Sequence, residues 1–205
     1  SRSANARDVK ALGTSLSHAP ALRASLGMCQ SALLASLRDG MDELKDVTGW
    51  IADEIIDEPP LALLDGGIMR DGCDPELDRL RVLVRGGRDW IATLQREESE
   101  RTNIPNLKVG YNKVFGYFIE ITRSYTHLAP SDYERKQTLV NAERYITPTL
   151  KSREEEIVSA DERMKQMEYD LFVKLRDRIA NEARRIQATA DTIATIDVIL
   201  SLAET

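Results

Sequence analysis

Eight basic residues fall between Asn103 and Arg153: Lys108, Lys113, Arg123, Arg135, Lys136, Arg144, Lys151 and Arg153. Only four acids, Glu120, Asp132, Glu134 and Glu143, stand among them. The segment therefore carries +4 (eight minus four), and the rest of the 205-residue chain, whose total is −6, carries −10. Five of the six tyrosines and two of the three phenylalanines lie in the same stretch, so charge and aromatic content both change at its borders. Cations mixed with amides and hydroxyls are groups that hold phosphate oxygens, contacts that position a protein on a nucleic acid and carry little base information. The candidates for this chemistry are Asn112, Lys113, Arg123, Ser124, Arg135, Lys136, Thr138, Asn141, Arg144 and Lys151. A net charge of −6 argues against coating nucleic acid over the whole surface, and so for a local patch.

Other chemistry lacks its residues. There is no GxxxxGK[ST] phosphate loop and no Ser-His-Asp spacing, so no catalytic role is expected. Cys29 and Cys73 lack CxxC spacing, and with only His18 and His127 to join them they read as free thiols of a reducing compartment rather than zinc ligands. Glu154-Glu155-Glu156 suits the positive end of a helix and needs no metal. No uninterrupted apolar run approaches 18 residues and no secretory leader opens the chain, which points to the cytoplasm and away from membranes.

Each candidate has a plainer reading. Asn112 and Lys113 suit a turn between strands, His127 a structural histidine, and Arg144 a surface pair with Glu143. Tyr111 and Tyr117 follow an apolar alternation that suits a core better than base stacking.

The elements that must position these groups are mainly helical. Apolar residues recur at helical spacing from Ala6 to about Leu37, interrupted at His18-Ala19-Pro20, and again from Met41 to Glu58, where Pro59-Pro60 stops them. Asp65-Gly66-Gly67 and Asp71-Gly72 surround Ile68-Met69 in an extended connector. Asp74-Pro75-Glu76 opens a helix whose Leu77, Leu80, Val84, Gly87, Ile91 and Leu94 make a coiled-coil seam. Gly86-Gly87 weakens it by roughly 1 kcal/mol per glycine, marking a candidate hinge, and a seam glycine also admits a close partner helix.

Leu107, Val109, Tyr111 and then Tyr117, Ile119, Ile121 alternate as a β-hairpin. Ser124 to Asn141 reads as loop with short elements, Pro130-Ser131-Asp132 able to start a helical turn. From Pro148 neither glycine nor proline intervenes, so one helix of about 55 residues and ~80 Å is expected. Its seam is Ile157, Ala160, Met164, Met167, Leu171, Leu175, Ile179, Ala183, Ile186, Ala190 and Ile193; the steps of four near Ile179 are read as a supercoil adjustment without a break. The expected fold is mainly α with a small β-rich insertion. Helices of residues 1–102, the outgoing one from about 74, lead to a β-hairpin-containing tip at 103–148, and a helix at 149–205 returns in a coiled-coil-like antiparallel pair.

Leu107 to Ile121, with Gly110-Tyr111-Asn112-Lys113-Val114-Phe115-Gly116-Tyr117 at its centre, resembles the start of the clamp domain of the bacterial MutS family of DNA mismatch-recognition proteins. So do His127-Leu128-Ala129-Pro130 and the run from Arg135-Lys136-Gln137-Thr138 through Asn141-Ala142-Glu143-Arg144 to Pro148. Asp71 to Asp78 resembles the entry to that family's lever, and Asp197 to Glu204 the helix end that returns to its core. The resemblance covers nearly the whole chain and implies a fragment: part of the core and lever, plus the clamp. It further implies double-stranded DNA held without sequence reading, and for the full-length family a homodimer, a MutL partner, a nucleoid-associated cytoplasmic location, and an ATPase using ATP and magnesium that this fragment lacks. Phe118-Ile119-Glu120 spells the family's mismatch-reading Phe-x-Glu by coincidence, since it falls in a clamp strand. Where the family often carries a basic residue before the asparagine, Val140 stands. The rival reading is a helical hairpin that docks proteins and binds no DNA of its own.

Overall fold

A computed structural model describes residues 3–203; Ser1, Arg2, Glu204 and Thr205 lie outside the described residues. Its elements follow the order α1 (Ala6–Leu16), α2 (Ala19–Leu26), α3 (Ala32–Gly40), α4 (Lys45–Glu54), α5 (Pro75–Thr102), β1 (Lys108–Asn112), β2 (Gly116–Thr122), β3 (Glu134–Thr138), β4 (Ala142–Ile146), α6 (Pro148–Asn181) and α7 (Ala183–Ala203). They belong to two units: residues up to Asp74 with those from Lys165 on, and Pro75–Met164.

In the first unit α1 opens with a capping box: Asn5 accepts the Asp8 N–H, and the Asp8 carboxylate accepts the Asn5 N–H. Gly13 lets α1 approach α4 closely, since a Cβ there would lie 2.7 Å from Ile51. Pro20 sits in the first turn of α2, as the interruption at His18-Ala19-Pro20 predicts. The helix expected from Met41 to Glu58 is shorter. The Asp42 carboxylate accepts the Leu44 N–H at 2.9 Å and Leu44 is left-handed (φ 50°), so the chain turns before α4 begins. Beyond Glu54 the chain leaves the helix because Ile55 bridges Met69 and the Ile56 N–H donates to the Ile68 carbonyl. Burial of Ile55, Ile68 and Met69 ends α4, not Pro59-Pro60. The connector is pinned further by the buried Glu168 of α6, whose carboxylate accepts the Ile68 N–H at 3.0 Å.

The single return helix is also revised. It divides at Glu182, whose N–H bonds to Ile179, three residues back instead of four. The cause lies across the chain: Arg185 binds Asp42 at 2.8 Å, Asp46 at 2.7 Å and Glu182 at 3.0 Å, while the Thr189 hydroxyl donates to the Asp42 carbonyl. These contacts re-aim α7, so Ala183 and Ala190 of the expected seam are exposed and Thr189 and Ile196 are buried. Phe172 is likewise fully buried where Leu171 was expected to lead. In composition α7 is apolar enough to cross a bilayer, with a mean hydropathy of 1.3, a property that the lack of an uninterrupted apolar run conceals. Within its unit it packs Ile193 and Ile196 on Leu26, Met41 and Leu37.

Arg185 holds the Asp42 and Asp46 carboxyls below the usual range, chiefly through its hydrogen bonds. A depressed carboxyl contributes stability that is present above its unfolded value and is lost as pH falls through the folded one. Thermal unfolding below about pH 4 is therefore expected to be steeper in the wild type than in Arg185→Ala, and parallel acid profiles would refute the assignment.

In the second unit α5 runs through Gly86-Gly87 unbroken. A Cβ on Gly87 would lie 2.3 Å from Ile157, whereas one on Gly86 would meet nothing within 4 Å. Gly87 is thus the point of close approach to α6. The four strands form an antiparallel sheet in the order β1-β2-β4-β3. The first hairpin matches its alternation. The stretch from Ser124 to Asn141, expected as loop, contains the strand β3, and Pro130 starts a turn closed by the Tyr133 N–H. Glu-Arg-Lys-Gln-Thr has no apolar alternation because β3 is a sheet edge, charged and irregular around Lys136, features that discourage further pairing. One sheet face packs Ile119, Ile121 and Tyr145 against Leu94 of α5 and Leu150 of α6.

Candidate nucleic-acid interface

Strand register sorts the ten candidates into two ends and a middle. Asn112 pairs with Gly116 at one end of β2, and Thr122 pairs with Ala142 at the other. Six strand steps separate Gly116 from Thr122, about 20 Å at ~3.3 Å per residue. The Gly116 end gathers Asn112, Lys113, Lys136 and Lys151; the Thr122 end gathers Arg123, Ser124, Thr138 and Asn141; Arg135, level with Ile119, falls in the middle with Arg144.

At the first end the Asn112 carboxamide accepts the Val114 N–H at 2.7 Å, the turn chemistry expected of it. Lys113 is exposed and Val114, at the tip, is 89% exposed. Lys136 bonds Glu134 at 2.6 Å, while Arg135, in the middle of the sheet, reaches Glu143 only at 3.5 Å. Lys113 and Lys151 have no ion-pair partner among the described residues, nor has Arg123 at the other end. Arg123 instead ties the β3–β4 turn to β2: its N–H donates to the Asn141 carbonyl at 2.9 Å and its guanidinium to the Val140 carbonyl at 3.2 Å. Val140 projects from that turn, 81% exposed.

Arg144 occupies the middle, held within the sheet. Its guanidinium lies 4.3 Å from the Phe118 ring centre and bonds Glu120 at 2.8 Å and Gln137 at 3.0 Å. The expected pair with Glu143 does not form, because register sets Arg144 opposite Glu120. Glu143 instead accepts the Tyr145 hydroxyl at 2.6 Å, and burial together with that carboxylate pushes the phenol up to about 12. Phe118 is buried over Gly110, where a Cβ would lie 2.7 Å from the ring, so neither end of the Phe-x-Glu triplet projects as a reader.

Residues 72–163 match the sequence model of MutS family domain IV. The chain is 50% identical over 202 residues to the DNA mismatch repair protein MutS of Symbiobacterium thermophilum, covering 98% of this chain and 23% of that relative. It is 51% identical to the protein of the same name from Solibacter usitatus, with the same coverage, and 48% identical to that of Lachnoclostridium phytofermentans, covering 22% of it. The chain belongs to the MutS family. It spans about a quarter of the length of these relatives, and both ends of the sheet fall inside the domain IV match.

Three placements in this MutS domain were not legible in sequence. Tyr117 joins the core as expected, but Tyr111 stands 58% exposed at the β1 edge, 5.1 Å from Tyr117 in an edge-to-face contact. Lys108, not among the ten, is exposed opposite Glu120 on the outer face. Glu154 does more than open a helix: it accepts the Tyr117 N–H at 3.2 Å, and a Cβ on Gly116 (φ 81°) would collide with it. Burial and the neighbouring Glu155 raise the Glu154 carboxyl above its ordinary range, against the Tyr117 N–H and Lys151, which lower it. Thirty-seven residues separate these partners, so no local pattern announces them. Among the described residues no His, Cys, Asp and Glu cluster could hold a metal ion.

Proposed function

We propose that this chain contributes the DNA-holding clamp and lever part of a mismatch-repair protein. Residues 103–148 are the clamp, 74–102 and 149–205 the lever and its return to the core. They grip duplex DNA by its phosphates without reading sequence. The observation that carries this reading is the pair of cationic ends, with Lys113 and Lys151 at one and Arg123 at the other in no salt bridge within 4 Å among the described residues, Lys151 lying only in the field of Glu154. Family membership supports it, since the relatives are DNA mismatch repair proteins. In the whole protein the reading extends to a homodimer around DNA, a MutL partner, a cytoplasmic, nucleoid-associated location, and an ATPase with ATP and magnesium outside this segment.

A titration of fluorescent duplex tests it. With three or four phosphate contacts, affinity falls roughly 40- to 150-fold between 50 and 200 mM salt, equally for matched and mismatched duplexes. Absence of binding at ~50 mM salt, up to the ~100 μM of non-specific affinity, overturns it. That result would favour protein docking on the helices, for which exposed Val82 and Leu83 beside the open flank of Gly86 are the supporting observation.

A further inference from the structure

The turn between β1 and β2 covers a small pocket of about 300 Å³. Phe115, Tyr117 and Ile146 supply its walls, Lys136 and Lys151 its positive charge, and Glu154 its single carboxylate. We infer that this pocket seats one backbone phosphate of duplex DNA, and that Glu154 is its proton-linked gate, the seat being complete when that carboxyl is neutral. The inference rests on the duplex-binding reading above and adds a regulation of the same site.

Every element around Glu154 contributes a named group. From α6 come Lys151 and Glu155; from β3, Lys136 with its partner Glu134; from β2, the Tyr117 N–H; from β4, only the apolar Ile146. With the pocket open the carboxylate has one backbone donor and the field of Lys151 to hold its charge, against burial and Glu155. A phosphate between Lys136 and Lys151 places a second anion beside it and draws the lysine field away. Both effects disfavour the ionised carboxyl. Once protonated, its carbonyl oxygen can keep the Tyr117 N–H while its hydroxyl donates to phosphate, a neutral donor replacing a repelling charge.

The sign of the linkage follows. Glu154 binds its proton more tightly in the complex than in the free protein, so complex formation takes up protons. Affinity is highest at low pH and declines as pH rises through the bound-state value. Each unit by which the bound value exceeds the free one is a tenfold change in affinity between the two limits.

The test uses the full 205-residue chain and a fluorescent duplex at about 0.1 M salt, from about pH 5.5 to 8. The wild type is expected to bind roughly tenfold tighter at the acid end. Glu154→Gln keeps an acceptor for Tyr117, binds tightly throughout and loses the pH dependence, while Lys151→Ala binds weakly throughout. As a control, His127→Gln, at the exposed histidine of the Arg123–Leu128 turn, must leave the Glu154 effect in place. Salt-dependent binding with parallel wild-type and Glu154→Gln profiles overturns the gate and leaves the duplex reading standing. No duplex binding at any pH overturns both.

Should Glu154→Gln fail to fold, calorimetry of the wild type in buffers of different ionisation enthalpy decides: proton uptake supports the gate and its absence overturns it. Inorganic phosphate separates the two sources of the anion. Saturating shifts of the Glu154 carboxyl carbon with phosphate, but none with duplex, would overturn the backbone assignment.

Discussion

Alanine at Gly87 is expected to destabilise the Pro75–Met164 unit by about 1–3 kcal/mol, the range for forcing an extra carbon into a packed contact. Alanine at Gly86, one residue away, is expected to stabilise it by roughly 0.5–1 kcal/mol. The opposite signs follow from what each new Cβ meets. At Gly87 it would lie 2.3 Å from Cγ1 and 2.8 Å from Cδ1 of Ile157, so either the isoleucine leaves its rotamer or α5 and α6 part. At Gly86 it meets nothing within 4 Å, and the gain is the chain entropy that alanine removes from the unfolded state. Urea unfolding of the single variants measures both. Shortening the obstacle gives a second check, since Ile157→Ala should recover part of the Gly87→Ala loss in a double-mutant cycle. Equal effects at the two glycines would show that the pair serves flexibility, the hinge suggested by two adjacent helix-breaking residues, instead of close packing on one side.

These glycines also mark how far the sequence could be read. Periodicity placed Gly87 on the α5 seam and left Gly86 off it, which is why a close approach could be anticipated. The β1–β2 hairpin was legible for the same reason: its alternation serves a buried face, and Ile119 and Ile121 are fully buried there. What escaped is whatever depends on partners distant in sequence. β3 carries no apolar alternation because it is a charged edge, so only pairing with β4 reveals it as a strand. The break at Glu182 has no glycine or proline to announce it; Arg185 reaching Asp42 and Asp46, some 140 residues earlier, imposes it. The candidate cations were legible as a group from charge density. Their division into two ends was not, because register is a property of the paired sheet. Arg144 looks like any other basic residue until Glu120 and Gln137 are found against it.

That division yields the second large effect. Each phosphate contact contributes about 0.9 to the slope of log affinity against log salt, equivalent to roughly eightfold at 0.1 M salt relative to 1 M. Arg123→Ala is therefore expected to weaken duplex binding about eightfold, and Lys113→Ala with Lys151→Ala about 60-fold. The triple variant should lose about 500-fold, with the slope reduced by nearly three, if both ends touch one duplex. The ends lie about 20 Å apart, roughly six phosphate steps at 3.4 Å of axial rise, so they meet different phosphates and their losses should add on a logarithmic scale. If one end alone makes contact, removing the other leaves both affinity and slope unchanged. Val140→Lys, on the exposed tip beside Arg123, should restore about the factor that Arg123→Ala removes. Arg144→Ala discriminates charge at a contact from charge in the fold: it strips Phe118 of its cover and leaves Glu120 unpaired, so it should lower stability while the salt slope stays where it was. A slope lowered by Arg144→Ala would place the middle of the sheet, and not its ends, against the phosphates.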